Sequence, residues 1–135
     1  MSSQEPADFE ALDKLILEQL TDKERARSAV YLDQDPRPAG LTLVGGGEVK
    51  VDHPHLVAFI DQRPGANWMH PCRYLLIDAV TRQCSSMDSW QPPLFGVLPP
   101  TWRAVWRSPG IADWQMLPLS YPAPQGIPIE KKEKA

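Results

Sequence analysis

The apolar run over residues 70–78 constrains the fold of this chain more than any other stretch. It is entered through Pro71 and closed by Asp78, and its central part, Tyr74–Ile77, is too short for an isolated helix. Its length and its aromatic and branched residues are typical of a buried β-strand. Residues 79–82 then turn the chain, and residues 83–87 return as a more polar partner. The sequence therefore predicts a β-hairpin at this place.

Three earlier segments also have strand patterns. Leu41–Val44 and Glu48–Asp52 flank three glycines, and the second of these runs alternates apolar with charged residues. Glycines between two strand patterns predict a hairpin turn, whereas a phosphate-binding loop would need a helix directly after them. Leu56–Ile60 predicts a further buried strand that ends at Asp61. The links between these strands are short, which predicts an antiparallel meander, since a parallel crossover needs a dozen residues or more.

The N-terminal part has helical patterns. A helix is predicted over about residues 6–20, because apolar residues recur there at helical spacing. Thr21 and Glu24 have the spacing of a capping box, which predicts a second short helix through about Ala29. Prolines at positions 36 and 38 then favour extended backbone. The apolar residues of the first helix are Phe9, Leu12, Ile16 and Leu20.

The last third is rich in tryptophan and proline. Residues 101–107 fit a strand, with Trp102, Ala104 and Trp106 on one face, or a helix with the two tryptophans one turn apart. A strand is favoured, because Pro109 leaves little length for a helix and residues 114–117 can pair back across the turn. From Pro118 onward the pattern is that of an extended, polyproline-like arm.

These patterns together predict an α+β fold. We expect an N-terminal helix, or two, packed on an antiparallel β-meander sheet of about five strands, with an extended proline-rich C-terminal arm. The length of 135 residues fits a single domain over residues 1–117, followed by the arm and its charged tail over residues 118–135.

Charge and composition exclude several kinds of partner. The formal charge is −3 and the 14 Lys and Arg residues are scattered, which argues against a nucleic-acid partner. Residues 2–6 are polar rather than signal-like, and no apolar run approaches the roughly 18 residues of a membrane span, so we expect no membrane partner and a cytoplasmic location. In the predicted hairpin Cys72 and Cys84 lie about 13 Å apart, too far for a disulfide, so both are expected to be free thiols.

Cys72 and His70 are the sharpest candidates for catalysis. Two residues apart on a strand, their side chains leave the same face, so a thiolate–imidazolium pair is conceivable. The alternative is structural, with Cys72 packing as a small apolar residue and His70 capping the loop. No orienting acid is assigned by spacing, and the structural reading is preferred.

A metal site is less consistent with the predicted topology. His53, His55, His70 and Cys72 are residue types that suit zinc. An antiparallel pairing of the strands would, however, put His55 near Asp78 and about 20 Å from His70. The same pairing sends Asp61 and Asp78 to opposite ends of the sheet, which argues against paired-carboxylate catalysis. We therefore predict no metal and no cofactor.

The tryptophans carry more information about function. All five lie at or beyond Trp68, which is more aromatic surface than a core of this size is expected to hide. Surplus tryptophan beside Arg63, Arg103 or Arg107 is typical of protein interfaces. The predicted partner-binding residues are Trp102, Arg103, Trp106, Arg107, Tyr121 and Ile127.

We therefore predict a non-catalytic accessory or adaptor protein that binds another protein through a Trp/Arg surface and its proline-rich arm. The alternative is a small cysteine-dependent enzyme or redox switch that uses Cys72 with His70. A third hypothesis is a ligand-binding domain with an aromatic pocket.

Overall fold

The computed structural model describes residues 5–45, 47–66, 70–93 and 98–117. Within these ranges two helices lead into seven strands, and a 3-10 helix follows the last strand. The elements are α1 (Glu5–Glu18), α2 (Asp22–Arg27), β1 (Ala29–Arg37), β2 (Gly40–Val44), β3 (Gly47–Val51), β4 (His55–Asp61), β5 (Cys72–Asp78), β6 (Cys84–Ser89), β7 (Trp102–Arg107) and the 3-10 helix Asp113–Gln115.

Five of the strands form one antiparallel sheet in the order β6-β5-β4-β1-β7. Strands β2 and β3 form a separate two-stranded ribbon, joined at the glycines as expected. The α+β class and the five-stranded antiparallel sheet are therefore confirmed, and β4, β5 and β6 follow one another as a meander. The prediction that this meander also includes the strands at residues 41–44 and 48–52 is wrong, because these two strands pair only with each other and β1 and β7 complete the sheet. The proline-rich arm predicted over residues 118–135 lies outside the described residues.

The predicted hairpin is present as β5 and β6. Cys84 pairs with Ile77 at the turn end of the hairpin, whereas Cys72 pairs with Ser89 at the other end. The carboxylate of Asp78 accepts hydrogen bonds from the backbone amides of Val80 and Thr81, both at 2.8 Å, which stabilises the turn. Both cysteines are free, as predicted from this geometry.

The sheet buries a core on each face. On one face Leu12, Ile16 and Leu20 from the N-terminal helix and the residues after it pack on the sheet, and we call this the helix-side cluster. On the other face the ribbon, Leu98 and the segment 116–117 pack on the ribbon-side cluster, which contains Tyr31, Phe59 and Tyr74 among others. The expected shielding of the sheet by the leading helix is confirmed.

Strand β1 was not predicted as a strand. The capping box is present at Thr21 and Glu24, but α2 ends at Arg27 and does not extend through Ala29. Residues 29–32 include the β-prone Val30 and Tyr31 and are fully buried between β4 and β7, so local propensity and pairing on both sides favour the same conformation. The strand pairing becomes irregular between Asp33 and Arg37, where Pro36 lies.

The prediction of a strand over residues 101–107 is confirmed by β7, but two details are wrong. Val30 pairs with Trp106 while Tyr31 pairs with Ala104, so Val105 is an extra residue in β7. This bulge turns Trp106 to the helix-side cluster, whereas Ala104 packs on the ribbon-side cluster. Residues 114–117 do not pair back with β7, which pairs with β1 instead.

Candidate functional site: a basic cleft beside an exposed tryptophan

His70 and Cys72 lie at one end of the sheet together with Asp61, an acid that sequence spacing did not assign to them. Asp61 ends β4 and is the direct pairing partner of Cys72 at the start of β5. The Nε2 atom of His70 lies 2.8 Å from Oδ1 of Asp61, and all three side chains are buried. The same carboxylate oxygen accepts a hydrogen bond from the backbone amide of Arg63 at 3.0 Å.

The surroundings of Cys72 favour the thiol over the thiolate. Its side chain is buried, and its Sγ donates a 3.5 Å hydrogen bond to the carbonyl oxygen of Gln91. Burial, with the nearby negative charge of Asp61, raises the pKa of the Cys72 thiol to about 11. Burial also raises the pKa of Asp61, although the contact with His70 offsets part of the effect. The group resembles a packed polar cluster more than an activated nucleophile.

The candidates for metal binding are separated by the strand pairing. His55 lies opposite Asp78 at one end of the β4–β5 pair, and Asp61 lies opposite Cys72 at the other end. The Nδ1 atom of His55 lies 2.9 Å from the carbonyl oxygen of His53. Among the residues that the structure describes, no group of three or more His, Cys, Asp or Glu side chains could hold a metal ion.

The described members of the predicted partner-binding set make contacts within the chain. Trp102 is 1 % exposed and belongs to the ribbon-side cluster, so its ring is not on the surface. Arg103 joins β7 to α1 through two bonds to the carboxylate of Asp13, at 2.6 and 3.2 Å. Tyr121 and Ile127 lie outside the described residues.

The two other predicted contact residues are on the half-buried end of β7. The Nε1 atom of Trp106 donates hydrogen bonds to the Oγ of Ser108 at 3.1 Å and to the carbonyl oxygen of Arg25 at 3.3 Å. Arg107 forms an ion pair with Asp113, at the start of the 3-10 helix. Both residues therefore connect β7 to the segments beside it.

The most exposed tryptophans in the described ranges are Trp90 and Trp114, at 60 % and 75 %. The ring of Trp114 lies over Gly65, so that a Cβ atom at that glycine would come within 3.0 Å of it. Gln115 holds the same turn through a 3.1 Å hydrogen bond from its Nε2 to the carbonyl oxygen of Pro64. Packing thus fixes the position of an exposed aromatic ring beside the loop that begins at Arg63.

Arg63 also lines a cleft of about 500 Å³ between α2 and the start of β5. At its edge the buried carboxylate of Glu24 accepts hydrogen bonds from Arg73 Nε at 2.9 Å and Arg73 Nη2 at 2.7 Å. Gln62 Nε2, at 2.7 Å, and the amide of Thr21, at 2.9 Å, donate to the same carboxylate. The cleft is lined by Thr21, Lys23, Glu24, Arg27, Ser28, Gln62, Arg63, Pro71 and Arg73.

Burial alone would raise the pKa of Glu24, but the hydrogen bonds from Arg73, Thr21 and Gln62 outweigh it and leave the pKa below its ordinary value. Glu24 is thus an anion that holds the Arg73 guanidinium in place. Sequence reasoning found Glu24 only as a helix cap and missed this cleft. The signal was Arg73 itself, because an arginine inside an otherwise apolar strand requires an acid from elsewhere in the chain.

Comparisons with protein-family models, with curated proteins and with solved structures give no match. In the described ranges, no helix has both the length and the apolar character needed to cross a membrane.

Proposed function

We propose that this chain is a non-catalytic accessory protein that binds another protein. The observation that carries the proposal is the exposed ring of Trp114, which is held over Gly65 next to Arg63. Tryptophan and arginine are the residue types most enriched at the energetic centres of protein interfaces. A ring already fixed by its own domain loses little further freedom when it is covered by a partner, which favours binding.

The predicted C-terminal contact is retained in this proposal. The backbone amide of Leu117 donates a 2.8 Å hydrogen bond to the hydroxyl of Tyr31, which fixes the chain at that point. The predicted arm, residues 118–135, follows directly in sequence after this fixed residue. We expect Tyr121 and Ile127 to act as anchors in an extended, strand-adding or polyproline mode.

The proposed location is the cytoplasm. Cys72 and Cys84 are free thiols, and a reducing compartment keeps thiols in that state. The alternative of a cysteine-dependent enzyme has less support, because Cys72 is buried and its thiol pKa is raised rather than lowered.

Site-specific photocrosslinking tests the proposed function. The full chain carries p-benzoylphenylalanine in place of Trp114 and is expressed in cells of its own organism. The matched control carries the same group in place of Val80, which is 79 % exposed on the β5–β6 turn. We expect one discrete protein adduct from position 114 and none of that mass from position 80.

Adducts of the same masses from both positions would show that contact is non-specific. Irradiation that yields no adduct from position 114 in a folded, expressed chain would also overturn the proposal. Deletion of residues 118–135 is expected to weaken formation of the adduct if the arm contributes contacts, and an undiminished adduct would remove the arm from the interface.

A further inference from the structure

The cleft that Arg63 lines has a positively charged lining, although the whole molecule is negatively charged. The whole chain has a formal charge of −3, yet four cationic side chains and one acid line this cleft. The acid is Glu24, and it is already engaged by Arg73. The cleft is therefore a region of positive potential on an acidic protein, and a negatively charged group is the ligand that it would attract.

Three of the cations have no acidic partner within the described part of the chain. Lys23, Arg27 and Arg63 are exposed, and none of them makes an ion pair there. Arg73 differs, because Glu24 and the carbonyl oxygen of Gln19 fix its guanidinium. Its Nη1 atom makes no hydrogen bond to any described residue. One preoriented guanidinium and three adaptable cations thus share one cleft.

Ser28 lies in the wall of the cleft, but its hydroxyl is closed off from a ligand. Its residue is 1 % exposed, it lines the cleft, and its Oγ atom has no hydrogen-bond partner among the residues described. Its backbone groups are satisfied by Ser108, whose Oγ accepts from the Ser28 amide at 2.9 Å. The Oγ atom has almost no accessible surface, so a carboxylate in the cleft does not reach it, and the groups that can bind a ligand there are the cations.

We propose that this cleft binds an acidic segment of the partner protein, with its carboxylates against Arg73 and the exposed cations Lys23, Arg27 and Arg63, and an apolar side chain against Trp114. This inference rests on the proposed function, because it names the chemistry of the partner that Trp114 contacts.

The placement of the cations favours a peptide over other anions. The cations line both the α2 side and the loop side of the cleft, so they suit several carboxylates along a chain better than a single phosphate ion. Trp114 does not line the cleft, but its ring lies over Gly65, two residues after the cleft residue Arg63, and it offers an apolar contact that a peptide side chain uses. A long polyanion such as single-stranded nucleic acid would extend past the cleft over a molecule of net negative charge.

Fluorescence anisotropy with a defined probe tests this inference. The probe is a fluorescein-labelled glutamate-rich peptide with a central leucine pair, and its control has glutamine at every glutamate. We expect the full chain to bind the glutamate peptide, to bind the glutamine peptide at least tenfold more weakly, and to lose affinity as salt is raised. The double variant Arg27→Gln/Arg63→Gln should weaken binding about tenfold or more.

The double variant Lys14→Gln/Lys50→Gln removes the same charge from exposed positions outside the cleft and is expected to bind like the parent. Ser28→Ala is a second control. It removes a hydroxyl that has no partner among the described residues and almost no accessible surface, so the midpoint of thermal unfolding should stay the same or rise and the affinity for the glutamate peptide should stay that of the parent.

Equal weakening by the two double variants would overturn the inference, because it would show that only net charge matters. Equal affinity for both peptides would overturn it as well. Tighter binding of a single-stranded oligonucleotide or of inorganic phosphate than of the glutamate peptide would also overturn it and would identify that anion as the better ligand of the cleft. A crosslinked adduct at position 114 that Arg27→Gln/Arg63→Gln leaves unchanged would refute the cleft and keep the proposed function.

Discussion

Glu24 has two structural roles that its position in the sequence does not distinguish. As the third residue of α2 it caps the helix by accepting from the amide of Thr21, and as a buried acid it pairs with Arg73, 49 residues away. The carboxylate of Glu24 therefore joins α2 to the central hairpin. Removal of its charge should loosen both contacts.

The substitution Glu24→Gln is expected to lower the free energy of unfolding by about 2–4 kcal/mol, since it leaves the Arg73 guanidinium without its anion in a largely buried place. Glu18→Gln, at an exposed position on α1, is the control and should change it by less than about 0.5 kcal/mol. Urea titration measures both. Equal small losses would show that the buried pair contributes little.

The effect of Glu24→Gln should depend on pH in a defined direction. The pKa of Glu24 is lower in the folded chain than its ordinary value, so this group stabilises the fold above its unfolded pKa of about 4.3. That stabilisation is lost as the pH falls through the folded pKa. The difference between parent and variant should therefore shrink below about pH 4. The raised pKa of Asp61 changes the stability with pH in the opposite direction. Because Asp61 is present in both the parent and the variant, its contribution cancels in the difference between them.

Cys72 should react slowly with thiol reagents at neutral pH. Burial of the thiol and the neighbouring carboxylate of Asp61 raise its pKa to about 11, so almost no thiolate is present at pH 7. Titration of the native chain with a thiol-specific disulfide reagent, with Cys84→Ser to isolate Cys72, measures this. A Cys72 that reacts faster than a free thiol at pH 7 would restore the hypothesis of a cysteine-dependent enzyme.

Turns and helix caps are the features that the sequence predicts best. Thr21 with Glu24, the glycines between β2 and β3, and the turn after Asp78 each depend on residues close together in the chain. The apolar run over residues 29–32 is compatible with a strand, but its place between β4 and β7 depends on contacts between distant segments, which that run does not specify. The bulge at Val105 is of the same kind, since only the pairing with β1 shows it.

The candidate site also has one part that the sequence predicts and one part that depends on contacts between distant segments. Surplus tryptophan beside Arg63 was anticipated, but the identity of the exposed ring was not, because Trp102 and Trp114 differ in what packs on them rather than in local sequence. The cleft was missed, since Arg27 and Arg63 become neighbours only when α2 packs beside the end of β4.

The β2–β3 ribbon docks closely on the sheet at Gly45, and a matched pair of substitutions tests this contact. Gly45 has a φ of +55°, and a Cβ there would come within 2.9 Å of the Tyr74 ring and would also meet Ser89. Gly110 has a φ of +91° and nothing within 4 Å of the same position. Gly110→Ala should therefore cost only the backbone strain of about 1 kcal/mol, and Gly45→Ala about 2–4 kcal/mol. Equal losses in urea unfolding would show that the ribbon does not pack closely here.

The molecule as a whole is a sheet with unequal cover on its two faces. The helix-side cluster is covered mainly by α1 and Leu20, and the ribbon-side cluster by the ribbon together with loop segments. All seven residues of β4 are buried, and this strand has a neighbour on each side. We expect the stability of local structure to follow this arrangement, from the centre of the sheet outward.

Native-state hydrogen exchange measured by NMR tests this expectation. The amides of β4 are bonded within the sheet centre, so their exchange should require global unfolding and should report its full free energy. Strand β3 pairs only with β2, so the ribbon can open without breaking any pairing in the five-stranded sheet, and the amides of β3 should exchange through this partial opening, at least a hundredfold faster. Edge strand β6 should lie between the two. If β3 were as protected as β4, the ribbon would belong to the same cooperative unit as the sheet, and the ribbon-side cluster would unfold only with the whole domain.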